Sequence, residues 1–163
     1  MQAASPSAMQ WSESLVLNHA HMDATHQEFV ALLSDLEQAE EAQLLAMWDT
    51  LVAHTEAHFV QEDRWMVATG FAPDNCHSSQ HAVVLEILKE GAQKARAGDV
   101  ALLRAMAAEL GAWFVHHAQT MDAALAQHLR AVDFDVHSGC ARQTHALPAA
   151  AIHGCGGACS TPA

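Results

Sequence analysis

Apolar residues recur at alternating steps of three and four along four successive segments of this chain, over about residues 18–40, 41–69, 74–98 and 99–132. This spacing is typical of amphipathic helices that bury one stripe of side chains. The connections between the segments are short, and short loops join helices that run antiparallel. The pattern therefore predicts an all-α fold, an antiparallel up-down-up-down four-helix bundle.

Turn and capping residues mark the predicted helix ends. Gly70, followed by Pro73, is predicted to end the second helix, and Gly98 to end the third. Asp74 and Asp99 are predicted to cap the start of the third and fourth helices.

The chain changes character after the fourth helical segment. From His137 onward Gly, Ala, Ser and Pro dominate and no helical period survives. Such composition is typical of segments that do not pack a core. We therefore predict one bundle domain over residues 11–132 and a disordered, Cys- and His-containing C-terminal tail over residues 133–163.

The overall charge excludes two classes of partner. The chain has 19 acidic and 7 basic residues and a formal net charge of −12, so nucleic acid and anionic membranes would be repelled. No apolar run is long enough to span a bilayer. The N-terminal residues 1–10 lack Lys, Arg and an apolar centre, so we predict no secretory signal and a cytoplasmic location. In that compartment the four cysteines are not expected to form a disulfide framework.

Polar residues interrupt the apolar stripe of the second helix. His58 and Glu62 lie one helical turn apart within it. The full stripe is Leu44, Trp48, Leu51, Thr55, His58, Glu62 and Trp65. A buried carboxylate needs a partner or a metal ion, because burying it unpaired costs several kcal/mol.

Each of the other helices also places histidine in its stripe. These residues are His26 on the first helix, His77 and His81 on the third, and His117 on the fourth. One such histidine alone is more typical of a satisfied core residue, but its recurrence on four helices is not explained by packing. The ligands suit iron, zinc or manganese. They are too many for one ion and favour two ions bridged by carboxylates in the bundle core.

These residues resemble the hemerythrin family, and within it the bacterial hemerythrins with an HHE cation-binding domain, over residues 11–132. The matching pieces are Met22-Asp23-Ala24-Thr25-His26, HTEAHFVQEDRWM, Gly70-Phe71 before the two third-helix histidines, and WFVHHAQTMD. The positions of His77 and His81, 15 and 19 residues after Glu62, match the family pattern.

The resemblance implies a centre of two non-haem iron ions. One iron would be bound by His77, His81 and His117, the second by His26 and His58, and both would be bridged by Glu62 and Asp122. The implied function is reversible dioxygen binding, as an oxygen carrier or store, and not as an enzyme. A histidine-rich set suits binding better than cleavage of dioxygen. Nearby aromatic side chains are expected to keep the site dry, namely Phe59, Trp113 and Phe114.

Two other functional classes stay open. A sensor of oxygen, iron or redox state would need a separate protein partner, which the sequence does not indicate. A di-iron redox enzyme could act as a peroxidase, a nitric-oxide reductase or a cluster-repair factor.

Asp122 does not follow the regular helical period. It lies five residues after His117, which places it about 140° from His117 on a straight helix. We therefore predict a wide turn between these two residues, since such turns are frequent at functional sites. His54 lies at the edge of its stripe, where it would hydrogen-bond near the site or compete as a ligand. His116 is predicted to lie at the surface.

The predicted tail also contains residue types that can bind metal. We interpret them as part of a disordered tail of biased composition and not as a metal site. They are His137, Cys140, His145, His153, Cys155 and Cys159.

Overall fold

A computed structural model describes residues 9–71 and 76–152 of the chain, and within them four long helices pack against one another. They are α1 (Ala20–Gln38), α2 (Glu41–Ala68), α3 (Cys76–Arg96) and a fourth helix made of α4 (Leu102–His117), a π-helical turn (Ala118–Asp122) and α5 (Ala123–Ala131). Helix α1 packs on α2 and α4, and α3 packs on the same two helices. The predicted all-α four-helix bundle is confirmed. None of the described helices is both long enough and apolar enough to cross a membrane.

Two apolar clusters fill the bundle, and the polar stripe residues lie between them on α1, α2 and the fourth helix. The first cluster includes Leu33, Trp48 and Leu88, and its largest member, Trp48, donates its indole N–H to the Leu88 carbonyl at 3.0 Å. The second includes Met22 and Trp65. Burial of these side chains supplies most of the stabilisation of the bundle. On the fourth helix, Ala107 and Phe114 are buried, whereas Met106 and Trp113 are half-buried.

The end of α3 corrects one predicted cap. The N–H groups of Gly98 and Asp99 donate to the carbonyls of Ala95 and Lys94, which closes α3 in a Schellman motif. Asp99 therefore completes the end of α3 and does not cap α4, whose N-cap residue is Ala101. Asp74, the other predicted cap, lies outside the described residues.

Helix α2 ends at Ala68, and Gly70 follows in the left-handed region with φ of +71°. This agrees with the predicted helix stop. A Cβ added to Gly70 would lie 2.9 Å from Cγ of Pro148. The segment after the bundle thus packs directly over this turn.

We expect Gly70→Ala to lower the free energy of unfolding by about 2 kcal/mol, because it combines a strained φ with a close contact. Gly139→Ala is the matched control, since Gly139 has φ of +70° and nothing within 4 Å of the added Cβ. The free energy of unfolding of this control should fall by only about 1 kcal/mol. Urea unfolding of both variants measures the difference. Equal losses would show that Pro148 yields without cost.

Part of the predicted tail contacts the bundle. Strands β1 (Phe134–Asp135) and β2 (Cys140–Ala141) pair antiparallel. Phe134 and Ile152 pack against the second apolar cluster, and the N–H of Ile152 donates to the carbonyl of Gly70 at 2.7 Å. The rest of the predicted disordered tail, residues 153–163, lies outside the described residues.

The cysteines depart from expectation at one position. Cys76, the first residue of α3, is disulfide-bonded, whereas Cys140 is free and exposed. The disulfide at Cys76 departs from the expectation that these cysteines form no disulfide framework. Cys155 and Cys159 lie outside the described residues.

Candidate metal centre

All seven predicted ligands converge between the two apolar clusters. They form two groups in which the nitrogen and oxygen atoms all lie within 4.8 Å of one another. The first group is Glu62, His77, His81, His117 and Asp122, and the second is His26, His58, Glu62 and Asp122. The two groups share both carboxylates. This is the arrangement expected of two metal ions with bridging carboxylates.

The π-helical turn brings Asp122 into the core. The N–H of Ala123 donates to the carbonyl of Ala118, five residues earlier, over the turn Ala118–Asp122. A π turn contains more residues than an α turn, so the fifth residue after His117 returns to the same face. Asp122 is 0% exposed. The predicted wide turn is confirmed.

Each carboxylate directs one oxygen to each histidine group. Asp122 Oδ1 lies 2.9 Å from His77 Nε2 and 3.0 Å from His117 Nε2, whereas its Oδ2 lies 3.2 Å from His26 Nε2. Glu62 Oε2 lies 3.3 Å from His77 Nε2, and its Oε1 lies 3.5 Å from His58 Nε2. His81 Nε2 completes the first group, 3.4 Å from Glu62 Oε2.

These close contacts do not satisfy the carboxylates as hydrogen bonds. Both oxygens of Glu62, both oxygens of Asp122 and Nε2 of His77 are buried without a hydrogen-bond partner among the described residues. Buried polar groups are almost always paired, and leaving several charged oxygens unpaired is costly. The ligand atoms of each group lie within 4.8 Å of one another, close enough to share one ion once the ion displaces the imidazole protons. The residues therefore fit a pair of metal ions.

Burial and charge set unusual pKa values in the metal-free protein. Burial lowers the pKa of His77, but the carboxylates of Asp122 and Glu62 outweigh it and raise the pKa to about 10. Burial lowers the pKa of His58 to about 4, although the charge of Glu62 opposes it. Burial raises the pKa of both carboxyl groups, but the adjacent histidines outweigh it and hold each pKa below its ordinary value. At neutral pH the carboxylates are thus ionised and His58 is neutral.

Aromatic rings cover the histidines, as predicted. Phe59 stacks on His81 with ring centroids 4.0 Å apart, and Trp113 stacks on His117 at 4.4 Å. Phe114 meets the His26 ring edge-on at 5.1 Å. These contacts fix the imidazole planes and exclude water.

His54 belongs to neither ligand group. Its Nε2 lies 3.2 Å from Glu28 Oε2, near the surface, so of its two possible roles the hydrogen bond agrees with the structure and ligation does not. His116 is exposed, as predicted.

Two residues that contact the site carried no signal in the sequence. Asp63 Oδ1 lies 3.1 Å from His81 Nδ1, and Gln80 Oε1 lies 3.2 Å from His117 Nδ1. Both lie beside the buried stripes, at positions that the helical period assigns to ordinary surface residues. Their contacts depend on how the helices pack.

Comparison with known proteins agrees with this geometry. Residues 18–129 match the model of the Hemerythrin HHE cation binding domain. The chain is similar to a protein named Bacteriohemerythrin from Ralstonia nicotianae, with 42% identity over 114 residues that cover 70% of this chain and 83% of the relative. No solved structure matches significantly. With its matched length and its buried cluster of histidines and carboxylates, the chain belongs to the hemerythrin family and has a di-metal-binding domain of that family's type.

Proposed function

We propose that this chain holds two non-haem iron ions and binds dioxygen reversibly, as a carrier or store. The observation that carries the proposal is the inequality of the two ligand groups. One group contains three imidazoles and the other two, and both share the same pair of carboxylates. An ion in the two-histidine group has one protein ligand fewer, which leaves a position for a small external ligand. Two ferrous ions, one in each group, would together supply the two electrons that dioxygen binding requires.

The residues around the two-histidine group suit a small apolar ligand. His26 is fully buried and meets Phe114, while the side chain of His58 is 9% exposed and lies nearest to solvent. The nearby Thr55 hydroxyl is committed to the Leu51 carbonyl at 2.8 Å. These contacts support a dry position beside the two-histidine group that suits dioxygen better than water. The name of the Ralstonia relative is in line with this function.

The test is visible absorption of the iron-loaded protein, reduced without oxygen and then exposed to it. We expect an absorption band that appears with dioxygen and disappears when dioxygen is removed. Zinc-loaded protein is the control and should show no band, because zinc has no redox chemistry. Immediate and irreversible oxidation would contradict reversible binding and favour a redox enzyme or a sensor.

A further inference from the structure

The outer ring nitrogens of the five candidate histidine ligands have unequal surroundings. Every Nε2 faces the carboxylates, so every Nδ1 faces away from the centre. Nδ1 of His26 and of His77 is buried without a hydrogen-bond partner among the described residues. Nδ1 of His117 meets the neutral amide oxygen of Gln80. In the described part of the chain, Nδ1 of His81 alone lies within hydrogen-bond distance of a carboxylate, that of Asp63.

The contact with His81 is made by Asp63, the residue that follows Glu62 on helix α2. Consecutive residues point about 100° apart on a helix, so Glu62 faces the centre while Asp63 faces the flank of α3. The side chain of Asp63 is 37% exposed, whereas that of His81 is 2% exposed. Phe59, one turn earlier on α2, covers one face of the His81 ring with an interplanar angle of 7°. Helix α2 therefore holds His81 by its ring face and by its outer nitrogen.

We propose that Asp63 is a positioning residue for the metal ion of the three-histidine group. This inference rests on the proposed metal centre. Asp63 accepts a hydrogen bond from Nδ1–H of His81. Because the proton is then held on Nδ1, the electron pair of Nε2 stays free and directed at the ion. A carboxylate in that place also increases the electron donation of the imidazole. The two ions are thereby bound unequally, with His81 as the strongest histidine donor.

The alternative is a surface pair with no effect on the metal. Exposed ion pairs contribute little to stability, and Asp63 is partly exposed. A surface pair would leave metal affinity and the His81 tautomer unchanged when it is removed. Metal affinity and the position of the imidazole proton are therefore the informative measurements.

The first experiment compares Asp63→Ala and Asp63→Asn with wild type in the full chain. Zinc affinity is measured against a competing chelator, and thermal unfolding is measured without metal. We expect Asp63→Ala to lower the affinity for one of the two zinc ions by about 10–100-fold. Asp63→Asn keeps an oxygen acceptor without charge, so it should lower that affinity less. Metal-free unfolding should be nearly unchanged. Glu56→Gln is the matched control, since Glu56 lies on the same helix and pairs with Lys89 at 2.9 Å.

The second experiment locates the imidazole proton of His81 by nitrogen NMR of the zinc-loaded protein. We expect a slowly exchanging Nδ1–H in wild type that exchanges quickly in Asp63→Ala. Unchanged zinc affinity together with an unchanged proton signal would overturn the positioning role. That result is distinct from failure of the proposed function, in which iron-loaded wild type would hold two ions yet show no reversible response to dioxygen.

Discussion

Glu62→Gln is expected to hold at most one metal ion per chain and to lose any response to dioxygen. Glu62 is fully buried and directs one oxygen toward each histidine group. Glutamine keeps the size of the side chain but replaces one ligand oxygen by an NH₂ group, which has no electron pair to offer a metal ion. The substitution also removes a negative charge that balances the ions. Metal content after exhaustive dialysis measures the loss.

The matched control for this prediction is again Glu56→Gln, which removes a carboxylate from the same helix at a half-exposed position. It should retain two ions. Asp122→Asn should behave like Glu62→Gln, because Asp122 also directs its two oxygens to the two groups. Retention of two tightly bound ions in either site variant would contradict the bridging role.

Metal binding is expected to release protons and to strengthen as pH rises from 7 toward 10. In the metal-free protein the pKa of His77 is raised to about 10, so this residue holds a proton at pH 8 that a metal ion must displace. His58, with a pKa of about 4, and the two ionised carboxylates have no proton to release at that pH. Each released proton corresponds to about a tenfold gain in affinity per pH unit below the pKa of the group that releases it.

Calorimetry of zinc binding in buffers with different ionisation enthalpies counts the released protons. His77→Gln should release fewer, and it is the internal control. The raised pKa of His77 acts in the opposite direction on the stability of the metal-free protein, which falls as pH rises. A raised pKa stabilises the folded state fully below the unfolded value of 6.5, and this contribution is lost as pH rises through about 10. An affinity that is flat from pH 7 to 9 would show that His77 is already neutral.

Ligands that follow the regular helical period could be predicted from the sequence, whereas a ligand outside that period could not be predicted from the period alone. His58 and Glu62 stood out because a regular helix returns to the same face every three to four residues, and both break an apolar stripe. Asp122 lies off that period, and only the family motif together with a wide turn connected it to the site. The cap at Asp99 was predicted wrongly, because local residue preference does not reveal that the N–H of Asp99 closes the preceding helix.

The sequence by itself determined the four helices and the buried position of most ligands, because helical periodicity and burial are properties of residues close along the chain. Only the tertiary structure decided how Glu62 and Asp122 are shared between two groups, and that Asp63 of α2 meets His81 of α3. These features depend on distances of about 3 Å between different helices. Such distances are set by the packing of the whole core, to which each helix contributes only one face.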